Sequence, residues 1–179
     1  MHEIRYAKGK LDGGKVGGYA ALWNTPSQTL HERGRTFTEV IRPGAFTRSL
    51  QDGSQDIKLL WQHQGNQILA RTRNGSLVLR EDDKGLAFEA TLPDTTLGRD
   101  ARELLATGLV GEMSFGFNVR KDEWSQGYSR RELIDVSLGE VSLVIDAAYP
   151  QTTAALRSMA DDNWADRIRI RIARTKTNG

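Results

Sequence analysis

The chain has 179 residues, 38% hydrophobic and 27% charged, with no cysteine and a formal net charge of +2. That length suits one domain with a buried core and a short appended segment, while the missing cysteines exclude disulfides, thiolate metal sites and cysteine nucleophiles and fit a reducing compartment. No apolar run approaches the roughly 20 residues of a membrane helix, and the opening Met1-His2-Glu3-Ile4-Arg5-Tyr6 lacks the apolar core of a cleaved secretory signal.

Taken in chain order, the body reads mostly as strands. Gly17 to Trp23 is an early strand whose glycines indicate a bend or a close backbone approach. Asn24 to Arg35 is polar, contains Pro26 and Gly34, and reads as an exposed loop. Thr36 to Ile41 alternates as a strand, and Pro43 suits the first turn of a short helix through Ala45, Phe46 and Leu50. Strands follow at 55–63, 67–73, 76–81 and 85–92, with Asn74-Gly75 placed as a two-residue hairpin signal. Thr95 to Leu109 is the clearest helix, because Leu97, Ala101, Leu104 and Leu105 form an apolar stripe that Gly108 can end. Strands at 112–120 and 134–145 complete the body. Short strands with few helices point to a β-barrel or sandwich with helical decoration, mainly β within an α+β class.

Three of these strands each hold one polar residue of the kind a serine hydrolase uses: His63, Ser114 and Glu140. A nucleophile, a base and an acid define a triad by geometry and roles, so their order along the chain is free to differ between folds. The order here differs from that of chymotrypsin, subtilisin and the α/β-hydrolases. Alternation along 112–119 places Ser114 with Glu112, Gly116 and Asn118, opposite Met113, Phe115, Phe117 and Val119, and Gly116 leaves room for a substrate backbone. Glu140 shares a face with Ile134, Val136, Leu138 and Val144, where an acid is costly unless paired, and a histidine is one such partner. His63 shares a face with Ile57, Leu59 and Trp61, at the rim of the core. Each residue also has an ordinary reading: a surface serine, a core-edge histidine, a glutamate paired with an arginine. Asp135 is the alternative acid, although it falls on the opposite face with Ser137 and Gly139. His2 and His31 sit in a terminus and a loop without a second ligand at metal spacing, so no metal and no cofactor is expected.

Several segments together resemble the tailed-phage prohead maturation proteases, a family related to the herpesvirus assemblins. They are Gly18-Tyr19-Ala20, Glu39 to Phe46 with its Pro43-Gly44-Ala45-Phe46 core, and Trp61-Gln62-His63. Gly85 to Phe88, Gly111 to Phe117 and Leu138 to Val144 extend the likeness, which runs from about residue 14 to about residue 157. The resemblance implies a closed β-barrel ringed by a few helices, with a protease domain over 1–157 and a basic tail over 158–179. It implies a serine endopeptidase that cleaves scaffold, or a scaffold-like segment of the major capsid protein, inside the immature capsid in the host cytoplasm, and then itself. His63 matches the family's general base and Ser114 its nucleophile. The third position departs from the assemblin pattern, which uses a second histidine where this strand offers Glu140, so Asp135 or a simple dyad stays open. A homodimer is a candidate assembly.

Residues 167–179 carry +5 from Arg167, Arg169, Arg171, Arg174 and Lys176, leaving −3 for the rest of the chain. Any weak nucleic-acid attraction therefore belongs to the tail. There Trp164, Ile168, Ile170 and Ile172 alternate with arginines, which suits an amphipathic strand. It reads either as a solvated edge guarded by arginines or as an arm that docks on an acidic scaffold. A competing class is a non-catalytic capsid-assembly protein on the same barrel. Such a protein has no need of His63, Ser114 and Glu140 together.

Overall fold

The computed structural model describes residues 14–32 and 34–149, together with the backbone of a strand at 153–156. The tail expected to form an amphipathic strand, and His2, lie outside the described residues. Ten strands and two helices follow in order: β1 (Lys15–Leu22), β2 (Leu30–Glu32), β3 (Arg35–Ile41), α1 (Thr47–Gln51), β4 (Lys58–Trp61), β5 (Ile68–Arg71), β6 (Leu77–Glu81), β7 (Gly85–Thr91), α2 (Thr96–Thr107), β8 (Glu112–Trp124), β9 (Arg130–Val144) and β10 (Thr153–Leu156). The loop expected at 24–35 holds the short strand β2, which pairs with β3.

The α+β class is as expected, but the barrel is not closed. One sheet has the order β10-β1-β7-β6, and the other runs β2-β3-β9-β4-β5 with β8 also paired to β9. Closure demands that every edge strand find a neighbour, and between β5 and β6 that pairing does not form. A 3-10 turn over Thr72–Asn74, ended by Gly75 at φ +74°, carries the chain from one sheet into the other. The backbone N–H of Arg71 at the end of β5 bonds the Ser76 hydroxyl at 2.9 Å instead of a strand partner. Asn74-Gly75 is thus a corner between sheets and not a hairpin. The two open sheets bury one core between them, including Phe46, Leu59, Leu69, Leu77, Phe88, Met113, Leu138 and Leu143.

The helices obey their local signals. Thr95 caps α2 by accepting the N–H of Gly98 at 3.1 Å. Gly108, at φ +74°, ends it with its N–H on Leu105 O, while the N–H of Leu109 reaches Leu104 O, the paired bonds of a Schellman motif. Pro43 does not open α1. It occupies the second position of a turn closed by Ala45 N–H on Arg42 O at 3.1 Å, with Gly44 at φ +87°, the arrangement of a type II turn. The helix begins four residues later, where the Glu81 carboxylate accepts the Phe46 N–H at 2.9 Å and the Thr47 hydroxyl at 2.5 Å.

β9 organises the second sheet. One edge carries β8 along most of its length, and the other carries β3 near Arg130–Leu133 and β4 near Glu140–Leu143, both parallel. Between those two partners the backbone of β9 would be bare, and the turn and α1 fill the gap. The Val136 N–H bonds Ala45 O at 3.0 Å. The hydroxyl of Ser49, 1% exposed, donates to Val136 O at 2.7 Å and accepts the Leu138 N–H at 3.0 Å. Ser49→Ala therefore orphans two buried backbone groups and should cost roughly 2–3 kcal/mol, read as a lower urea midpoint at unchanged m-value.

A second buried polar group ties β3 to β9. Glu39 accepts the Tyr149 hydroxyl at 2.8 Å and Arg131 at 3.2 Å. Burial pushes the Glu39 carboxyl above its ordinary range, opposed by those two donors. Arg131 also holds Asp122 at 2.7 Å and lies over the Trp124 ring at 5.3 Å.

Candidate active site

β8, β9 and β4 lie side by side where the site forms. Ser142 on β9 pairs with Ser114 on β8 and with Leu60 on β4, and Glu140 pairs with Gly116 and Lys58. Paired residues point to the same side of a sheet, so Ser114, Gly116, Glu140 and Ser142 share one face. Met113, Phe115, Val141 and Leu143 turn to the core on the other. Phe115 is held there by Phe46 edge-on at 5.5 Å and by Tyr149 at 5.8 Å, so the Pro43-to-Phe46 segment anchors the strand that carries Ser114.

The expected face of Glu140 is corrected by a β-bulge. Gly116 pairs with Glu140 but Phe117 pairs with Leu138, leaving Gly139 as the extra residue. An extra residue reverses the alternation. Before it Val136 and Leu138 point inward, and after it Val141 and Leu143 do. Glu140 thereby leaves the apolar face and joins Ser142 and Ser114.

His63 is also placed differently from the expectation. β4 ends at Trp61, and the chain turns through Gln62 at φ +50° and His63 at φ +58°, closed by Gln64 N–H on Trp61 O at 2.9 Å. Two consecutive left-handed residues define a type I′ turn, and neither is glycine, at a cost of about 1–2 kcal/mol each. The turn is pinned to β9: Gln62 N–H bonds Leu143 O at 2.9 Å, and His63 N–H bonds the Ser142 hydroxyl at 3.2 Å. Strand alternation therefore does not set the direction of the imidazole; the turn does.

Its Nδ1 meets Glu140 Oε1 at 2.6 Å, with the histidine side chain 46% and the glutamate 17% exposed. The other carboxylate oxygen accepts the Ser142 hydroxyl at 2.6 Å. An acid placed on Nδ1 leaves Nε2 to act as base. Of the residues singled out in the sequence, His63 and Glu140 come into direct contact, and Ser114 lies across the strand pair from Ser142. Asp135 does not join them. Five residues along β9 from Glu140, it is engaged by Arg120 at 3.5 Å and Arg48 at 3.7 Å. His31 bonds Thr36 at 3.2 Å on the β2–β3 edge.

Ser142 is the residue the sequence reading missed. Its signal was the Glu140-Val141-Ser142 spacing, which puts two polar groups on one side of a strand. Gly116 also has a role that the sequence did not show. A Cβ there would press into Glu140 Oε1 and lie 3.1 Å from its Cδ, so the glycine makes room for the acid. Gly116→Ala should displace the carboxylate from His63 while costing about 1–3 kcal/mol of stability. The His63 Nδ1 proton resonance and thermal melting of the purified variant check both.

A family model described as Caudovirus prohead serine protease matches residues 3–165. The chain is 25% identical over 157 residues to the prohead protease of Enterobacteria phage HK97, covering 82% of this chain and 65% of that protein. The chain thus spans less than two thirds of that relative's length. Among solved structures, its fold is similar to that of the KSHV protease, crystallised with a hexapeptide phosphonate inhibitor. The TM-score is 0.52 at 12% identity, over 92% of this chain and 76% of that one. The match of the family model over almost the whole chain establishes that the protein belongs to the caudovirus prohead serine protease family.

Proposed function

We propose that this chain is a serine endopeptidase of procapsid maturation, with Ser114 as nucleophile, His63 as general base and Glu140 as the orienting acid. The observation that carries the reading is the 2.6 Å contact between His63 Nδ1 and Glu140 Oε1, made one strand away from Ser114. Family membership supports it independently. Two serines share the sheet face of Glu140, and their surroundings separate them. Ser142 is 0% exposed, with its hydroxyl committed to Glu140 and the His63 backbone. Ser114 is half-buried on the same face, where a substrate can approach.

In this mechanism Ser114 Oγ attacks the scissile carbonyl while His63 Nε2 takes its proton and later returns it to the leaving amine. Glu140 holds the proton on Nδ1 and stabilises the imidazolium. Backbone N–H groups bind the oxyanion, at about 3 kcal/mol per donor. The substrate is scaffold, or a scaffold-like segment of the major capsid protein, cleaved inside the immature capsid in the host, followed by the protease itself.

The test is intact mass after treatment with a fluorophosphonate, on protein co-assembled with its capsid partner. A single adduct on Ser114, absent from Ser114→Ala and His63→Ala, is expected. No adduct on the assembled protein would overturn the reading in favour of a non-catalytic assembly role.

A further inference from the structure

We infer that Ser142 is a positioning residue of the reaction: a buried hydroxyl that couples the backbone of the base to the carboxylate of its acid. The inference rests on the reading of His63, Ser114 and Glu140 given above. The hydrogen bonds fix the hydroxyl's orientation. The His63 N–H is a donor, so Ser142 Oγ accepts there at 3.2 Å, and its single proton goes to Glu140 Oε2 at 2.6 Å. A hydroxyl has one proton to give and two lone pairs, so these two bonds use its proton and one lone pair in one geometry.

Three consequences follow. Glu140 Oε2 is satisfied from within the sheet, which leaves Oε1 facing His63 Nδ1. The left-handed turn at Gln62-His63 is held from its inner side, at the residue that carries the imidazole. Because Glu140 and Ser142 are two residues apart after the bulge at Gly139, the rigid strand sets the distance between the two anchors. Strain of this kind at a site persists when its surroundings over-determine it, and Ser142 is one of the surrounding bonds. Ser142 is fully buried and turned toward the base and the acid, so its loss should lower kcat and leave KM unchanged.

The experiment is a double-mutant cycle with a direct readout of the His63–Glu140 bond. Peptide-hydrolysis rates are measured for the parent, Ser142→Ala, Glu140→Gln and the double variant, with Ser114→Ala as control. The proton on His63 Nδ1 is followed in the same proteins by NMR. Ser142→Ala should lose roughly 10- to 100-fold in kcat, and the double variant should be slower than Glu140→Gln by clearly less than that factor, because much of the effect of Ser142 passes through Glu140. The Nδ1 proton resonance should move in Ser142→Ala and move further in Glu140→Gln, where the charge facing it is lost. Ser142→Thr, which keeps the hydroxyl on a side chain suited to strands, should recover most of the rate, and the cycle does not depend on that variant folding. Losses that multiply in the double variant, or an unchanged rate and resonance in Ser142→Ala, would overturn the inference. If Ser114→Ala still hydrolyses peptide, the nucleophile assignment fails. The resonance then decides Ser142 by itself, and an unmoved signal rejects it.

Discussion

Ser114→Ala is expected to fold like the parent and to lose about a million-fold in turnover, the scale seen when a triad nucleophile is removed. The side chain is half-buried on the face opposite the core, and β8 is held by its backbone ladder to β9 and by Phe115 beneath. Losing one hydroxyl there should change stability by less than about 1 kcal/mol. Ser142 cannot take over the attack, because it is fully buried and its proton is committed to Glu140. Cleavage of the proposed capsid or scaffold substrate by the purified variant, beside a urea unfolding curve, separates lost chemistry from lost fold. Substantial residual cleavage would move the nucleophile elsewhere.

Glu140→Gln should come second, at about 10⁴-fold in kcat with little change in stability. Both partners of Glu140 act as donors toward it: Nδ1–H of His63 and the hydroxyl of Ser142, each at 2.6 Å. A carboxylate accepts both. A glutamine has one accepting oxygen and must turn its NH₂ toward one of them. Facing His63, the NH₂ forces the proton from Nδ1 to Nε2, the atom that must stay free to take the serine proton. The wrong tautomer is what makes the equivalent change in a serine protease so costly. Facing Ser142, it donates to the second lone pair of a hydroxyl that already accepts the His63 N–H, and the hydroxyl's own proton loses its acceptor at position 140. Either way the imidazolium loses its neighbouring charge. Turnover within tenfold of the parent would indicate a dyad that does not need the acid.

The helix α2 and most strands were legible because their signals are local: an apolar stripe with Thr95 and Gly108 at its ends, and alternation over 35–41, 77–81 and 85–91. Asn74-Gly75 was correctly a turn, but which strands a turn joins is a long-range matter, and here it joins two sheets. Pro43-Gly44 likewise signalled a bend whose type depended on Gly44 adopting a positive φ. The triad candidates were legible as residue types on apolar strands. Their faces were not. A strand's alternation predicts sides only while the register holds, and the bulge at Gly139 inverts it within three residues of Glu140.

The sequence by itself determined the strand-rich class, the long helix, the family likeness and the three residues worth suspecting. Composition, periodicity and short motifs are properties of neighbours in the chain. The tertiary structure decided that the sheets stay open, since closure depends on pairing between distant edges. It also decided that Glu140 and not Asp135 meets His63. Residues 63, 116, 140 and 142 meet only because β4 and β8 flank the same stretch of β9. A left-handed turn with no glycine, a glycine that yields its space to a carboxylate, and a serine that bonds both the His63 backbone and the Glu140 carboxylate are defined by that meeting.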